Sequence, residues 1–320
     1  MTETVTHPHT IADARAQPAF GLTDVLLFLM AVIWGINFVV VKYATRIFPP
    51  VAFTGMRVGT AALFLVMFAL LRRGPADEAG ERASGRSTIT SLQRADIVRM
   101  LLFGFLGNGL YQLFFVHGVA RTRAGNAALI IAAAPAFIAL IARARGMERV
   151  RTKALLGIGL SIAGVALVMA GSARPSNGEP TLLGSVLVFL GVLCWSLYTI
   201  LLQPYTTRVD VWRLSAITMV GGAVPLLLAS APSIARIDWS NVGPGAWAAL
   251  LYSSVISMGV AYIFWYRGLR ILGPTRTAVY ANLQPIVALL AAWAVIGEVP
   301  TVFQGVGATT IIAGVFLTRA

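Results

Sequence analysis

Long apolar stretches alternate with shorter polar ones along almost the whole chain. Each apolar stretch approaches the roughly 20 residues that a helix needs to cross the hydrocarbon core of a bilayer. The stretches cover about residues 23–43, 50–71, 98–119, 124–143, 154–172, 182–203, 211–231, 245–266, 275–296 and 302–319. The pattern predicts an all-α integral membrane protein with ten transmembrane helices.

Two polar segments stand apart from the short linkers. Residues 1–22 are mixed in charge and lack a basic region ahead of a short apolar core, which predicts an N-terminal tail rather than a cleaved signal peptide. Residues 72–97 are rich in Gly, Ser and Arg and predict a loop within the first half of the chain. The remaining linkers leave no room for a separate soluble domain.

Composition agrees with a membrane protein. The chain is 58% hydrophobic and 12% charged, whereas soluble domains are about 45–50% apolar and about 25% charged. These values exclude a soluble enzyme, a disordered regulator and a secreted disulfide scaffold. Cys194 is the single cysteine and the three histidines are scattered, so we expect no disulfide, no metal site and no cofactor.

The positive charge is distributed unevenly between the two sides of the predicted bundle. Ten spans place both termini on one side, and that side carries 18 Lys and Arg residues against 6 on the other, with Arg57 inside a span. Basic residues accumulate on the cytoplasmic side of membrane proteins. The bias predicts cytoplasmic termini, and it accounts for the net charge of +13 without a nucleic-acid partner.

The two halves of the chain are related in sequence. Residues 101–167 align with 251–317 without a gap and share 16 identities in 67 positions. The most informative identities are Gly109 with Gly259, Pro135 with Pro285, and Glu148 with Glu298. Because each repeat holds five spans, an odd number, the copies at 23–172 and 182–319 must cross in opposite directions. Inverted repeats are a known basis of alternating access.

Several segments resemble the drug/metabolite transporter superfamily in its EamA-like branch. They are WGINFVVVK in span 1, Arg57 in span 2, and YRGLRILGPTRTAVYANLQPIVALLAAWAVIGE followed by GVGATTIIAGVFL. The resemblance covers about residues 23–319 and implies two EamA-like repeats forming a ten-helix exporter of amino acids or related metabolites in a bacterial inner membrane. Arginines surround Glu148 in RARGMERVRTK, so the roles of Glu148 and Glu298 stay open.

Aromatic and amide side chains recur at helical spacing in four spans. Such polar groups are costly in lipid and should face the bundle or a water-filled cavity. The candidate substrate-binding residues of this kind are Trp34, Asn37, Tyr111, Gln112, Trp195, Tyr198 and Tyr262. The alternative is that the aromatic residues form interfacial belts and the amides bond between helices.

Spans 4 and 9 differ at matched positions. Span 4 has Ile130, Ala132 and Ala134 where span 9 has Tyr280, Asn282 and Gln284. We therefore expect span 9 to supply substrate specificity through Tyr280 and Gln284, which share a helix face four residues apart, while Asn282 points elsewhere. Ordinary interhelical hydrogen bonds remain the alternative.

A charge and two prolines complete the candidate site. Arg57 lies about seven residues into span 2, roughly 10 Å deep at 1.5 Å per residue, where a charge is a functional candidate. It could hold a substrate carboxylate, or it could snorkel outward or bond backbone carbonyls. Pro135 and Pro285 predict matched helix bends that serve gating, with a static kink as the alternative.

These features favour a secondary transporter that exports small metabolites by alternating access. The alternatives are an importer or exchanger of a nucleoside, quaternary amine or drug, and, more distantly, a membrane-embedded enzyme or a sensor. The chain lacks the GxxxxGK[ST] nucleotide motif, so we expect no ATP coupling. Its expected partners are a small-molecule substrate and the lipid bilayer, while the substrate's identity, direction of flux, coupling ion and oligomeric state stay open.

Overall fold

The structure is a computed structural model that describes residues 21–71, 93–146, 152–172, 181–272, 277 and 280–319. Within these ranges the regular elements are helical, as the sequence predicts. The principal helices are α1 (Leu22–Ala44), α2 (Pro50–Leu71), α3 (Arg94–Arg121), α4 (Ala124–Ala144), α5 (Thr152–Ser172), α6 (Thr181–Thr206), α7 (Val211–Ile234), α8 (Pro244–Ile271), α9 (Gln284–Ile296) and α10 (Val302–Arg319). Almost all of the predicted tail and most of the predicted 72–97 loop lie outside the described residues.

Seven of the described helices are long and apolar enough to cross a membrane, namely α1–α4 and α6–α8. Three further apolar helices are shorter, at Leu155–Gly171, Gln284–Ile296 and Val302–Leu317. Each lies within one of the predicted spans. The described residues therefore show a membrane-spanning helical bundle with seven spans by length and composition, and the count of ten stays a prediction.

The start of α3 corrects one predicted boundary. The sequence predicts a loop through residue 97, but the helix begins at Arg94 with Gln93 as its extended N-cap. Asp96 lies in the first turn, where a negative side chain stabilises the helix dipole. Polar residues in this first turn interrupt the apolar pattern, and for that reason the sequence analysis placed the helix start too late.

Irregular backbone recurs at equivalent places in the two halves. α3 widens into a π-helical segment at Phe105–Leu110, and α8 does so at Tyr252–Val260. A turn at residues 132–133 interrupts α4, and a turn at residues 282–283 precedes α9. The register that aligns residues 101–167 with 251–317 superposes each of these breaks on its counterpart.

Two pairs of matched helices pack against each other in antiparallel fashion. Gly55 near the start of α2 faces Ser230 near the end of α7, while Phe68 near the end of α2 stacks on Trp212 at the start of α7. α5 and α10 pair similarly, because the N-terminal part of α5 contacts Gly314 and its C-terminal Gly171 contacts Phe303. Each pair joins one helix from the first half of the chain to one from the second half.

Glycine allows close packing between α3 and α7. A Cβ atom built on Gly222 would lie 2.6 Å from the carbonyl oxygen of Asn108 and 2.7 Å from the nitrogen of Gly109. Both contacts are backbone atoms, which cannot rotate away. By contrast, a Cβ atom on Gly159 in α5 would meet nothing within 4 Å.

We expect Gly222→Ala to lower the midpoint of thermal unfolding of the detergent-solubilised protein. Forcing the two backbones apart costs roughly 1–3 kcal/mol, more than the approximately 1 kcal/mol that Ala gains over Gly in a helix. Gly159→Ala is the matched control and should leave the midpoint unchanged or raise it. Equal shifts in the two variants would contradict the close-packing interpretation.

Candidate functional site

A cavity lies within the bundle, and the empty space in and in front of it, open solvent included, is about 770 Å³. Its walls come from α1, α2, α3, α4, α6 and α8, together with Ala281, Asn282 and Gln284 at and just before the start of α9. Ala132 and Asn282 line it, so both turns that interrupt the helices border the cavity.

Five aromatic side chains form one wall, which we call the aromatic box. Its members are Trp34, Tyr111, Trp195, Tyr262 and Trp265. The Trp34 ring centroid lies 6.1 Å from that of Trp195, 5.8 Å from that of Tyr262 and 5.6 Å from that of Trp265. Nε1 of Trp34 donates to the carbonyl oxygen of Ser257 over 2.9 Å, which fixes the orientation of the indole. The box therefore presents a preformed apolar surface with edge-on and tilted rings.

The amide side chains around the cavity differ in how far they are hydrogen-bonded. Asn37 Oδ1 accepts a hydrogen bond from Ser253 Oγ over 2.8 Å, and Gln112 Nε2 donates to the Tyr262 hydroxyl over 3.1 Å. Gln112 Oε1 and Asn282 Oδ1 are buried and accept no hydrogen bond among the described residues. A buried acceptor without a donor is costly, so these two oxygens can bind a donor supplied by a ligand.

Arg57 places a buried cation in the lining of the cavity. The residue is 1% exposed, and its guanidinium carbon lies 5.9 Å from the Phe53 ring centroid and 5.6 Å from that of Phe115. Nε and Nη1 have no acceptor among the described residues. The side chain thus lies inside the bundle rather than snorkelling outward, and no described carboxylate forms an ion pair with it.

The structure brings most of the predicted site residues to this cavity. Those that line it are Trp34, Asn37, Arg57, Tyr111, Gln112, Trp195, Tyr262 and Gln284. Two predicted residues lie elsewhere. Tyr198 packs behind Trp195 and shares a hydrogen bond with the Tyr266 hydroxyl, while the Tyr280 hydroxyl donates to Asp24 Oδ1 over 2.5 Å.

The turn before α9 explains why the predicted helix face is wrong. An uninterrupted helix would place Tyr280 beside Gln284 and turn Asn282 away, whereas in the structure Asn282 and Gln284 line the cavity and Tyr280 does not. Pro285 lies in the first turn of α9, outside the lining, and Pro135 on α4 lines the cavity. The helix is interrupted just before each proline, and a gating role for them stays a prediction.

Other lining residues are not among the candidate substrate-binding residues named from the sequence. They include Phe38, Phe115, Ile131, Ala132, Ala134, Ile138, Val192, Ser257, Met258, Trp265 and Ala281. Ser257 and Met258 belong to the π-helical segment of α8, where a wider turn rotates side chains away from positions expected at 3.6 residues per turn. Apolar residues such as Val192 carry no signal that distinguishes a cavity wall from a helix interface.

Hydrogen bonds join the two halves of the chain at one end of the bundle. Glu298 Oε2 accepts from the backbone nitrogen of Ala124, the first residue of α4, over 2.9 Å. Arg123 Nη2 donates to the Val299 carbonyl over 2.5 Å, and Gln304 Nε2 donates to Asn126 Oδ1 over 2.8 Å. A carboxylate at a helix N-terminus is stabilised by the helix dipole, so Glu298 holds the start of α4 to the segment before α10.

Comparison with known proteins finds a transporter family and relatives that are named as transporters. The EamA-like transporter family model matches residues 21–170 and 182–320. The chain is 28% identical over 293 residues to the uncharacterized transporter YyaM of Bacillus subtilis, covering 91% of both chains. It is 25% identical over 303 residues to the uncharacterized inner membrane transporter YedA of Escherichia coli K12, covering 94% of this chain and 90% of YedA. A solved crystal structure aligns over 91% of this chain and 94% of its own, with a TM-score of 0.57 and 18% identity.

We expect Glu298→Ala to accelerate hydrogen–deuterium exchange of the backbone amides at the start of α4. Loss of a hydrogen bond to a carboxylate, worth about 1.5 kcal/mol or more, should raise the exchange rates roughly tenfold. Glu298→Gln keeps an acceptor oxygen and should change them less. Unchanged protection in Glu298→Ala would show that this contact does not hold the helix end.

Proposed function

Because the chain belongs to the EamA-like transporter family, we propose that it is a secondary carrier that exports amino acids or related small metabolites by alternating access. The observation that supports this most is the cavity around Arg57, in which an aromatic box, a buried cation and two free amide oxygens meet. These are the groups that an amphipathic zwitterion requires.

Each part of an amino acid has a counterpart in the cavity. The guanidinium of Arg57 offers donors in a fork that matches a carboxylate. Gln112 Oε1 and Asn282 Oδ1 can accept hydrogen bonds from an ammonium group, which also interacts favourably with aromatic faces. The aromatic box suits an apolar side chain. Arg57 then acts as the carboxylate-binding residue, and Asn282 and Gln284 contribute to specificity.

The two-fold organisation supports alternating access. The family model matches two consecutive parts of the chain, and the breaks in α3 and α4 recur in α8 and before α9. Matched helices α2 and α7 are antiparallel, as are α5 and α10, which is the arrangement that inverted repeats require. We therefore propose two inverted five-helix repeats that exchange conformations around the central cavity.

The apolar helices and the distribution of basic residues support a cellular location and a membrane orientation for the protein. The helices are apolar enough to span a membrane, and the relative YedA is named as an inner membrane transporter. Together with the excess of basic residues on one side, this supports a multi-pass protein of a bacterial inner membrane with both termini in the cytoplasm.

A carrier of quaternary amines is the second candidate, because aromatic boxes also bind such cations. Arg57 argues against it, since a buried cation in the same cavity repels a cationic solute. The arrangement is equally compatible with import of the same solute, and the direction of net flux follows from the gradients of solute and coupling partner.

We expect counterflow in proteoliposomes to show accumulation of labelled amino acids in vesicles preloaded with the unlabelled compound, in preference to nucleosides and quaternary amines. Trp34→Ala removes the centre of the aromatic box, and a loss of about 1.4 kcal/mol or more of contact with the substrate lowers the uptake affinity at least tenfold. Trp293, which is 59% exposed, provides the control Trp293→Ala. Preference for the other solute classes would contradict the proposal.

We expect Asn282→Leu to separate recognition of the ammonium group from recognition of the rest of the substrate. The variant should weaken binding of an amino acid about tenfold, since hydrogen bonds to charged groups are worth roughly 1.5–3 kcal/mol. Binding of the corresponding 2-oxo acid, which lacks the ammonium group, should change little. Equal losses for the two ligands, measured as competition in counterflow, would assign Asn282 a structural role instead.

A further inference from the structure

The unpaired guanidinium of Arg57 affects the rate at which the carrier changes conformation. We propose that a bound carboxylate is required for rapid switching between the two facing states, so that the protein exchanges one carboxylate solute for another in strong preference to one-way release. This rests on the proposed function, because it assigns the coupling behaviour of the same cavity.

The neighbours of Arg57 do not replace a counter-ion. Phe53 and Phe115 present aromatic rings to the guanidinium, and ring faces attract a cation but leave Nε and Nη1 without acceptors. Of the described residues that line the cavity, Arg57 alone is charged. A cation in this position lacks the paired and hydrogen-bonded environment that buried charges require.

Nor can an acidic side chain from elsewhere in the described structure supply the counter-ion without losing its own partners. The carboxylates of the described residues are engaged by the Tyr280 hydroxyl, by Arg208, by the start of α7, by the 238–241 turn and by the start of α4. They belong to Asp24, Asp96, Asp210, Asp238 and Glu298. None of them lines the cavity.

During alternating access the carrier passes through a state in which the cavity is closed at both ends and water is excluded from it. An empty carrier would carry the unpaired guanidinium through this state, and an uncompensated buried charge is strongly destabilising. A substrate carboxylate accepts two parallel hydrogen bonds from the guanidinium and lowers that barrier. The loaded carrier therefore switches faster than the empty one, which is the kinetic definition of exchange.

The first test compares efflux with and without substrate outside. Vesicles containing the full chain and radiolabelled L-phenylalanine should release label at least roughly tenfold faster into buffer with unlabelled L-phenylalanine than into buffer alone, because only loaded carriers return quickly. Arg57→Met should lower this ratio to near one, while Arg57→Lys keeps the charge and should keep the ratio well above one. A ratio near one in the unaltered protein, or an unchanged ratio in Arg57→Met, would overturn the proposal.

The second test needs no transported solute. On a Cys194→Ser background, Ala281→Cys places one thiol in the cavity lining, and a membrane-impermeant maleimide is added to either face of oriented vesicles. Without substrate, labelling of the protein with Arg57 should be biphasic, with a fast phase from molecules that already face the reagent and a second phase at least roughly tenfold slower that is limited by switching, and Arg57→Met should label in a single fast phase. A single fast phase in the protein with Arg57 would overturn the proposal.

The two tests separate failure of the inference from failure of the proposed function. If no amino acid shows counterflow but labelling has a slow phase that depends on Arg57, the proposed substrate class is wrong and slow switching of the empty carrier stands. Arg46→Met, which removes an exposed cation near the end of α1, controls for general loss of positive charge. Size-exclusion profiles identify variants that fail to fold.

Discussion

A backbone in hydrocarbon must satisfy its own hydrogen bonds, and this constraint organises the whole molecule. It makes the chain helical wherever it meets lipid and confines irregular backbone to places that face protein or a cavity. The turns at residues 132–133 and 282–283 obey this rule, because both border the central cavity. Pro135 and Pro285 lie in the first turn of the helical segments that follow, where a missing N–H costs little. The site is located where the helices are interrupted.

Polar groups serve different purposes at the ends and at the centre of the bundle. At the ends, Glu298 pairs with the start of α4 and Tyr280 pairs with Asp24, and these contacts join the two halves. At the centre, Arg57 and Asn282 retain unsatisfied atoms. The unsatisfied atoms of Arg57 and Asn282 lie in the cavity, where a ligand can complete their hydrogen bonds.

The helical architecture and much of the cavity lining could be predicted from sequence, because apolar length and helical spacing are local properties. Trp34, Gln112 and Arg57 line the cavity, since each lies well inside a span that bundles with others. The faces of Tyr280 and Asn282 could not be predicted, because an extrapolated helix does not anticipate the turn at residues 282–283. Glu298 accepts a hydrogen bond from a backbone nitrogen 174 positions away. This contact depends on how the two halves pack, so the residues around Glu298 in the sequence do not indicate it.

The aromatic box also gives the protein a spectroscopic property. Three of the seven tryptophans, Trp34, Trp195 and Trp265, have ring centroids within 6.1 Å of one another, close enough for their excited states to couple. Their near-ultraviolet circular dichroism should therefore carry an exciton signature that reports the relative angles of the indoles. Each movement of α1 against α6 or α8 changes those angles. The circular dichroism of the unlabelled protein therefore reports rearrangement of these helices.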